Sequence, residues 1–463
     1  MALPRRRTLT IIAVVLAVLV TAELGVVAWL RFGRSETPPS AGASTVTAAS
    51  PSPSSTPTNP APPLSAAIDL AQGLTVPSGA TASATLVTVE AGVAVAIVRV
   101  GSGDTVNDYL RGFDLATGSP LWTVAPDAAD ATNVTINALA NGAGRVAALV
   151  QRTMNQNTAA AVTVTVYDLA TGAAAAHADF GESTVGQGGP ALWAYQDGVV
   201  HVSTTELGWV ALSDADLTAL WSTQGRDFLY SGDIVLGHWV WADVYRDGVT
   251  SLAAPFAAER ASYQMVGESV VRVDLDDARA AVTLSQADLE TGQPVWPTPL
   301  ALSGGAGWPW VCATAESPLI VVDGETVHAL TRSAGTELWS VAAGAPAPLG
   351  CAVVAGRYAA VGRSEDSTAG TVEAEILDLH DGSSVATLDH LVDDPVGGHP
   401  AWLLTAGTTV FAHTADGQFT AYSGTGAWKT LWSVTLGATA TVAYQAGSTF
   451  YFLDGAELTS LTA

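Results

Sequence analysis

Lysine is almost absent from this chain: Lys429 stands alone beside 17 arginines. Charge of any kind is scarce, at 13% of residues, about half the usual share. What charge there is leans acidic, with 43 Asp and Glu against 18 Lys and Arg, a formal net of −25 over 463 residues. Without a pool of cations to neutralise phosphates, a nucleic-acid binder is excluded. Cysteine is limited to Cys312 and Cys351, which excludes a disulfide-dense scaffold. A single apolar run is long enough to cross a bilayer, which excludes a polytopic membrane protein. No Gly-x-Ser-x-Gly elbow, phosphate-binding Gly-Lys loop or His-Glu-x-x-His helix occurs, and the eight histidines show no ligand spacing. What is present is apolar: 48% of residues are hydrophobic, and Gly and Pro number 45 and 23. That content excludes global disorder, and the length suffices for one large domain or two ordinary ones.

The N-terminus reads as a membrane anchor. Arg5, Arg6 and Arg7, in a short tail (1–8), precede an apolar run from Leu9 to Leu30. As a helix at roughly 1.5 Å per residue this run spans about 33 Å, enough for a hydrocarbon core of about 30 Å. Arg31 and Arg34 close the far end, and the bias of positive charge puts the tail in the cytoplasm and the bulk of the chain outside. Glu23, within the run, reads as a tolerated carboxyl, with a contact to another membrane helix as the alternative. Val20-Thr21-Ala22 offers a signal-peptide cleavage pattern, but the apolar run continues from Leu24 to Leu30, which favours an uncleaved anchor. Residues 31–66 read as a linker rich in Pro, Ser, Thr and Ala, with eight prolines between 35 and 66. Such a segment nucleates no core and is biased towards extended polyproline II. Beyond residue 34 lie 42 acids and 13 bases, a net of −29, so the remainder is more acidic than the whole.

Residues 67–463 repeat. Asp114, Gly118 and Trp122 recur as Asp288, Gly292 and Trp296, with Asp four before Gly and Trp four after it. Asp168 and Gly172 keep the first half of the pattern with Ala176 in the Trp place, as do Asp378 and Gly382 with Ala386. Gly335 and Trp339 keep the second half, and Trp221 and Trp432 mark looser copies. The spacing between copies is 43 to 54 residues, except for 75 between Trp221 and Trp296. Alternating strands and Asp-Gly hairpin signals fill the intervals. A period of that length with four short strands per unit predicts an all-β chain, a β-propeller. Within the unit, Gly supplies a left-handed turn residue, Asp caps the turn's backbone donors and Trp packs between blades. The repeated Asp is therefore read as structural, not catalytic.

The pattern Asp-x-x-Thr-Gly-x-x-x-Trp resembles the PQQ-like repeat of quinoprotein-type β-propellers. WD40 propellers carry a Trp-Asp dipeptide that this sequence lacks. The resemblance implies eight four-stranded blades, with seven as the alternative. The ring would close by pairing a segment such as Ile68–Val76 with the C-terminal strands. The 75-residue gap would be one enlarged blade, with an insertion near Trp239–Tyr263. Enzymes of this family bind pyrroloquinoline quinone, usually with calcium and often beside a disulfide between adjacent cysteines. Cys312 and Cys351 are 39 apart instead. They could lie on comparable strands of neighbouring blades and pair outside the cytoplasm, or remain separate buried thiols. Asp274-Leu275-Asp276-Asp277 and Asp393-Asp394 lack the rest of a calcium loop and read as solvated turns.

The sequence therefore favours the non-enzymatic, BamB-like branch of these propellers: a membrane-anchored scaffold for an envelope protein or glycan, with no cofactor and no metal. A quinone-dependent dehydrogenase and an extracellular ligand sensor are the alternatives. Trp239 and Trp241, and Trp308 and Trp310, are pairs at spacing two that face one side of a strand. They are core residues of an enlarged blade or, if exposed, a partner-binding surface. Arginine in place of lysine, with abundant alanine, fits a high-GC bacterial genome.

Overall fold

The computed structural model describes residues 57 and 59–463, less 103–104, 126–132, 154–159, 184–190, 205–207, 224–227, 232–233, 238–242, 247–248, 254–260, 267–268, 276–280, 289–292, 304–308, 315, 325, 345–347, 367–370, 393, 397–398, 426–427 and 438. Between 223 and 265 only the backbone is described. The N-terminal tail 1–8, the apolar run 9–30 and most of the linker lie outside these residues. Among the described residues no helix is long and apolar enough to cross a membrane.

The strands follow from the side-chain pattern. Thr81–Glu90 alternates exposed and covered positions, as expected of a strand with one covered face. Leu319–Val322 is buried at every position, because it is enclosed by neighbouring sheets on both faces. The result is an all-β propeller. Six four-stranded sheets are built from consecutive strands: blade 3 (191–223), blade 4 (228–253), blade 5 (261–303), blade 6 (310–342), blade 7 (348–392) and blade 8 (403–435). Blade 1 (81–124) and blade 2 (133–183) are two further four-stranded meanders, joined into one sheet by a parallel pairing at Asn107 and Val134. Blade 9 (441–462) takes its fourth strand, Ile68–Asp69, from the other end of the chain.

The described residues thus hold nine four-stranded units, where the sequence led us to expect eight or seven. The 75-residue gap explains the difference. It is not one enlarged blade: the segment contains blade 4 and the start of blade 5. The strands of blade 4 are four or five residues long and carry no Asp–Gly–Trp turn, so the motif spacing steps over a whole sheet.

Seven apolar cores lie between successive sheets from blade 5 through blade 9 to blades 1, 2 and 3. First strands meet first strands, as with Thr81–Glu90 against Thr441–Ala446 and Trp310–Cys312 against Pro348–Val354, so these strands form the inner wall. The seam joins both ends of the chain: Ile68 pairs with Leu458 and Asp69 with Glu457. Arg111, in blade 1, secures it by donating to Leu70 O and, at 2.8 Å, to Gln72 O.

The end of the linker departs from expectation. Asn59 N donates to Leu431 O at 2.7 Å and Ser65 N to Ser460 O at 2.8 Å. Ser460 N returns a bond to Ser65 Oγ at 2.8 Å. Leu64, the one large aliphatic residue there, packs on the core of blades 8 and 9. Its apolar surface and these backbone bonds hold this stretch on the ring, where composition alone indicated a free stalk.

Candidate functional site

The repeat motif acts between blades. Asp114 Oδ1 accepts from Ala116 N at 2.7 Å and Thr117 N at 3.1 Å, and Asp168 Oδ1 accepts from Thr171 N at 2.9 Å. Gly118, Gly172, Gly335 and Gly382 all have φ between 64° and 73°, a region L side chains avoid. Three of the motif tryptophans reach into the next blade. Trp122 Nε1 donates to Leu169 O at 2.9 Å, Trp296 to Arg332 O at 2.8 Å and Trp339 to Leu379 O at 2.8 Å. The indole lies on that blade's glycine. A Cβ at Gly172 would stand 2.5 Å from Trp122, and one at Gly335 or Gly382 2.7 Å from Trp296 or Trp339. The glycine therefore serves a turn and a seat at once. At the seam no tryptophan is available, and Ile68 lies against Gly118 instead.

Where tryptophan is missing, the seat is filled from the other side. Blade 2 carries Ala176, and the glycine place of blade 3 is Leu217, at φ 57°. Both belong to one core. Blade 7 carries Ala386, and four residues before Trp432 in blade 8 stands Trp428, again in a shared core. Asp288 N bonds Gln293 O at 3.0 Å in the usual turn pattern, while Gly292 lies outside the described residues. The hydrogen bonds and packing of these residues hold turns and neighbouring blades together.

Blade 3 holds a distinct aromatic cluster. Trp193 stacks on the fully buried Trp209, with ring centroids 5.9 Å apart. Trp209 Nε1 donates to His201 Nδ1 at 3.1 Å, and His201 lies edge-on to Trp221 at 5.9 Å. Burial pushes the His201 pKa down to about 4, so the ring is a neutral acceptor at pH 7. On blade 6, His328 is held between Glu337 Oε2 at 2.8 Å and Asp323 Oδ2 at 3.3 Å. Burial lowers its pKa, but these two carboxylates more than offset that and raise it overall.

A cleft of about 520 Å³ opens on the inner wall where the first strands of blades 9, 1 and 2 meet. Leu86, Ile97, Ile136 and Val442 give it an apolar lining, and Arg99 is its cation. Arg99 is already engaged: Nε and Nη2 donate to Asp108 at 2.8 and 3.0 Å. The Asp108 carboxylate is wholly buried and also accepts from Ile136 N at 3.0 Å. The arrangement can hold a small apolar molecule; it offers no nucleophile beside a base.

Cys312 and Cys351 are joined in a disulfide and link the first strands of blades 6 and 7. Trp310, two residues before Cys312, is 44% exposed on the same strand. Trp239, Trp241 and Trp308 lie outside the described residues. Sequence reasoning missed a second set of exposed apolar residues, Leu121, Leu220 and Leu338, each immediately before a motif tryptophan. Their recurrence at that one place was the available signal.

No protein-family model and no curated protein matches this chain. Among solved structures, BamB from Moraxella catarrhalis is similar at 17% identity and TM-score 0.39, over 79% of this chain and 97% of that one. The computationally designed Ika8 protein is similar at 13% identity and TM-score 0.43, over 67% and 94%. The C-terminal WD40 domain of Sif2 is similar at 11% identity and TM-score 0.40, over 79% and 92%. At these values the propeller assignment rests on the strand order and interblade packing of this chain itself.

Proposed function

We propose that this protein is a membrane-anchored, extracytoplasmic propeller that acts as a non-catalytic scaffold for protein partners in a bacterial envelope. The observation that carries the reading is a set of large apolar side chains held exposed on rigid strands: Trp193 and Trp310 on first strands, and Leu121, Leu220 and Leu338 on last strands. Aromatic anchors on a preformed surface are what partner recognition uses. The disulfide is of the kind that persists outside the cytoplasm. Together with the arginine-flanked run from Leu9 to Leu30, it supports an envelope location with the propeller outside.

The inner cleft is poorly matched to pyrroloquinoline quinone, which supports a reading without it. The quinone carries several carboxylates, whereas the inner cleft offers one guanidinium already paired with Asp108. Adjacent cysteines are replaced by an interblade disulfide. No group of three His, Cys, Asp or Glu suited to a metal occurs among the described residues. The decisive experiment is proximity labelling from the propeller in the native cell, with a Trp310→Ala and Trp193→Ala double variant as comparison. A specific labelled protein lost in the variant is the expected outcome. Stoichiometric quinone binding with dye-linked turnover by the purified protein would sink the reading.

A further inference from the structure

The last strands of blades 1, 3, 6 and 8 make the same irregularity. In blade 1, Phe113 pairs with Pro120 and Gly112 with Trp122, so Leu121 is passed over. Blades 3, 6 and 8 pass over Leu220, Leu338 and Leu431 in the same way. A bulge of this kind turns its extra residue out of the ladder. Leu121, Leu220 and Leu338 are accordingly 46%, 53% and 52% exposed.

Leu431 is the exception, and the reason is visible. The chain's own segment from Asn59 to Ser65 lies there: Asn59 N donates to Leu431 O at 2.7 Å. Leu64 joins the same core as Leu431. One rim leucine therefore already has a proline-bearing segment of the chain beside it, held by a backbone bond to Leu431 O and by a leucine packed on the same core.

Among the described residues no further strand pairs with the outer edge of blade 1 or blade 3. Pro120–Val124 and Ala219–Thr223 are each the last strand of their meander. Neither contains a charged residue, the usual guard of an exposed edge. Blade 6 differs, because Glu337 stands beside Leu338.

Resting on the scaffold reading above, we propose that the outer edges of blades 1 and 3, at Leu121 and Leu220, dock an extended, proline-containing segment of a partner protein that carries a leucine. Backbone pairing along a sheet edge supplies affinity, and the side-chain contact at the bulge supplies selectivity. Proline limits the segment to few donors and keeps it extended before binding.

The test uses the full chain in detergent and a labelled peptide of residues 57–66, Pro-Thr-Asn-Pro-Ala-Pro-Pro-Leu-Ser-Ala. Anisotropy reports binding, and hydrogen exchange reports which edge is protected. Protection is expected at 120–124 and 219–223. Leu121→Ser with Leu220→Ser should weaken binding roughly tenfold or more, as should serine in place of the peptide's leucine. No binding, binding indifferent to both changes, or protection confined to 430–435 by exchange with the resident segment would each overturn the proposal. Partner labelling that persists in the cell with the double serine variant would overturn the rim site and leave the scaffold reading standing.

Discussion

The contacts from blade 1 to 2, 5 to 6 and 6 to 7 differ from those from blade 2 to 3 and 7 to 8. In the first set a tryptophan crosses to a glycine; in the second an alanine faces Leu217 or Trp428. The space between blades is filled in both, but by residues from opposite sides. Volume at this place is thus conserved across the gap and not within a blade, as close packing requires. In blade 3 the second solution carries backbone strain, since Leu217 takes a conformation that glycine adopts freely, whereas Trp428 in blade 8 has no positive φ.

The comparison breaks most sharply at Trp296, which is 2% exposed. Trp296→Ala should cost about 3–5 kcal/mol in urea unfolding, whereas Ala386→Gly, on the alanine side, should cost far less. Gly335→Ala comes next. It sets a Cβ 2.7 Å from Trp296 at φ 64°, so a loss of about 2–4 kcal/mol is expected from overpacking and strain together. An intact melting temperature in that variant would show that the indole does not need its seat.

Blade 3 sharpens the contrast through pH, because its tryptophan meets His201. Burial depresses this imidazole from 6.5 to about 4, so the unfolded state binds the proton more readily. Stability should fall as pH drops from about 6.5 towards 4, by on the order of 3 kcal/mol at the end of that range. His201→Gln should flatten this arm of the pH–stability curve. His328 has the opposite sign: its raised pKa contributes stability below about 6.5 that is lost as pH rises through the folded value. The smallest effect is a coupling. In a Gly335→Leu background, Trp296→Ala should cost about 1–2 kcal/mol less than in the native chain. Additive behaviour would mean that the two ways of filling the gap are not interchangeable.

The sequence disclosed the parts of the fold that depend on neighbours along the chain. Gly118 and Asp114 stand out because a left-handed residue and a capped turn have few chemical solutions. Blade 4 stayed hidden because its turns use other residues, and a period read from tryptophans cannot register a sheet without one. The pairing of Ala176 with Leu217 was present in the letters. Nothing local connects residues 41 positions apart until adjacent blades are known to touch. The rim leucines were overlooked for a related reason, since Leu beside Trp reads as core until the bulge turns it outward. The docking of Asn59 to Ser65 depends on an edge supplied by residues more than 360 positions later.

That distance has a consequence in time. Blade 9 is completed by Ile68 and Asp69, near the start of the propeller, and by strands that end at Thr462. At about 5–20 residues per second, the first strand waits on the order of half a minute for its partner to be made. Throughout synthesis Ile68, Leu70 and the inner face of blade 1 have no neighbour on that side. The last two dozen residues therefore act as a latch, and a chain shortened by one strand at its C-terminus would be left as an open arc with two apolar ends.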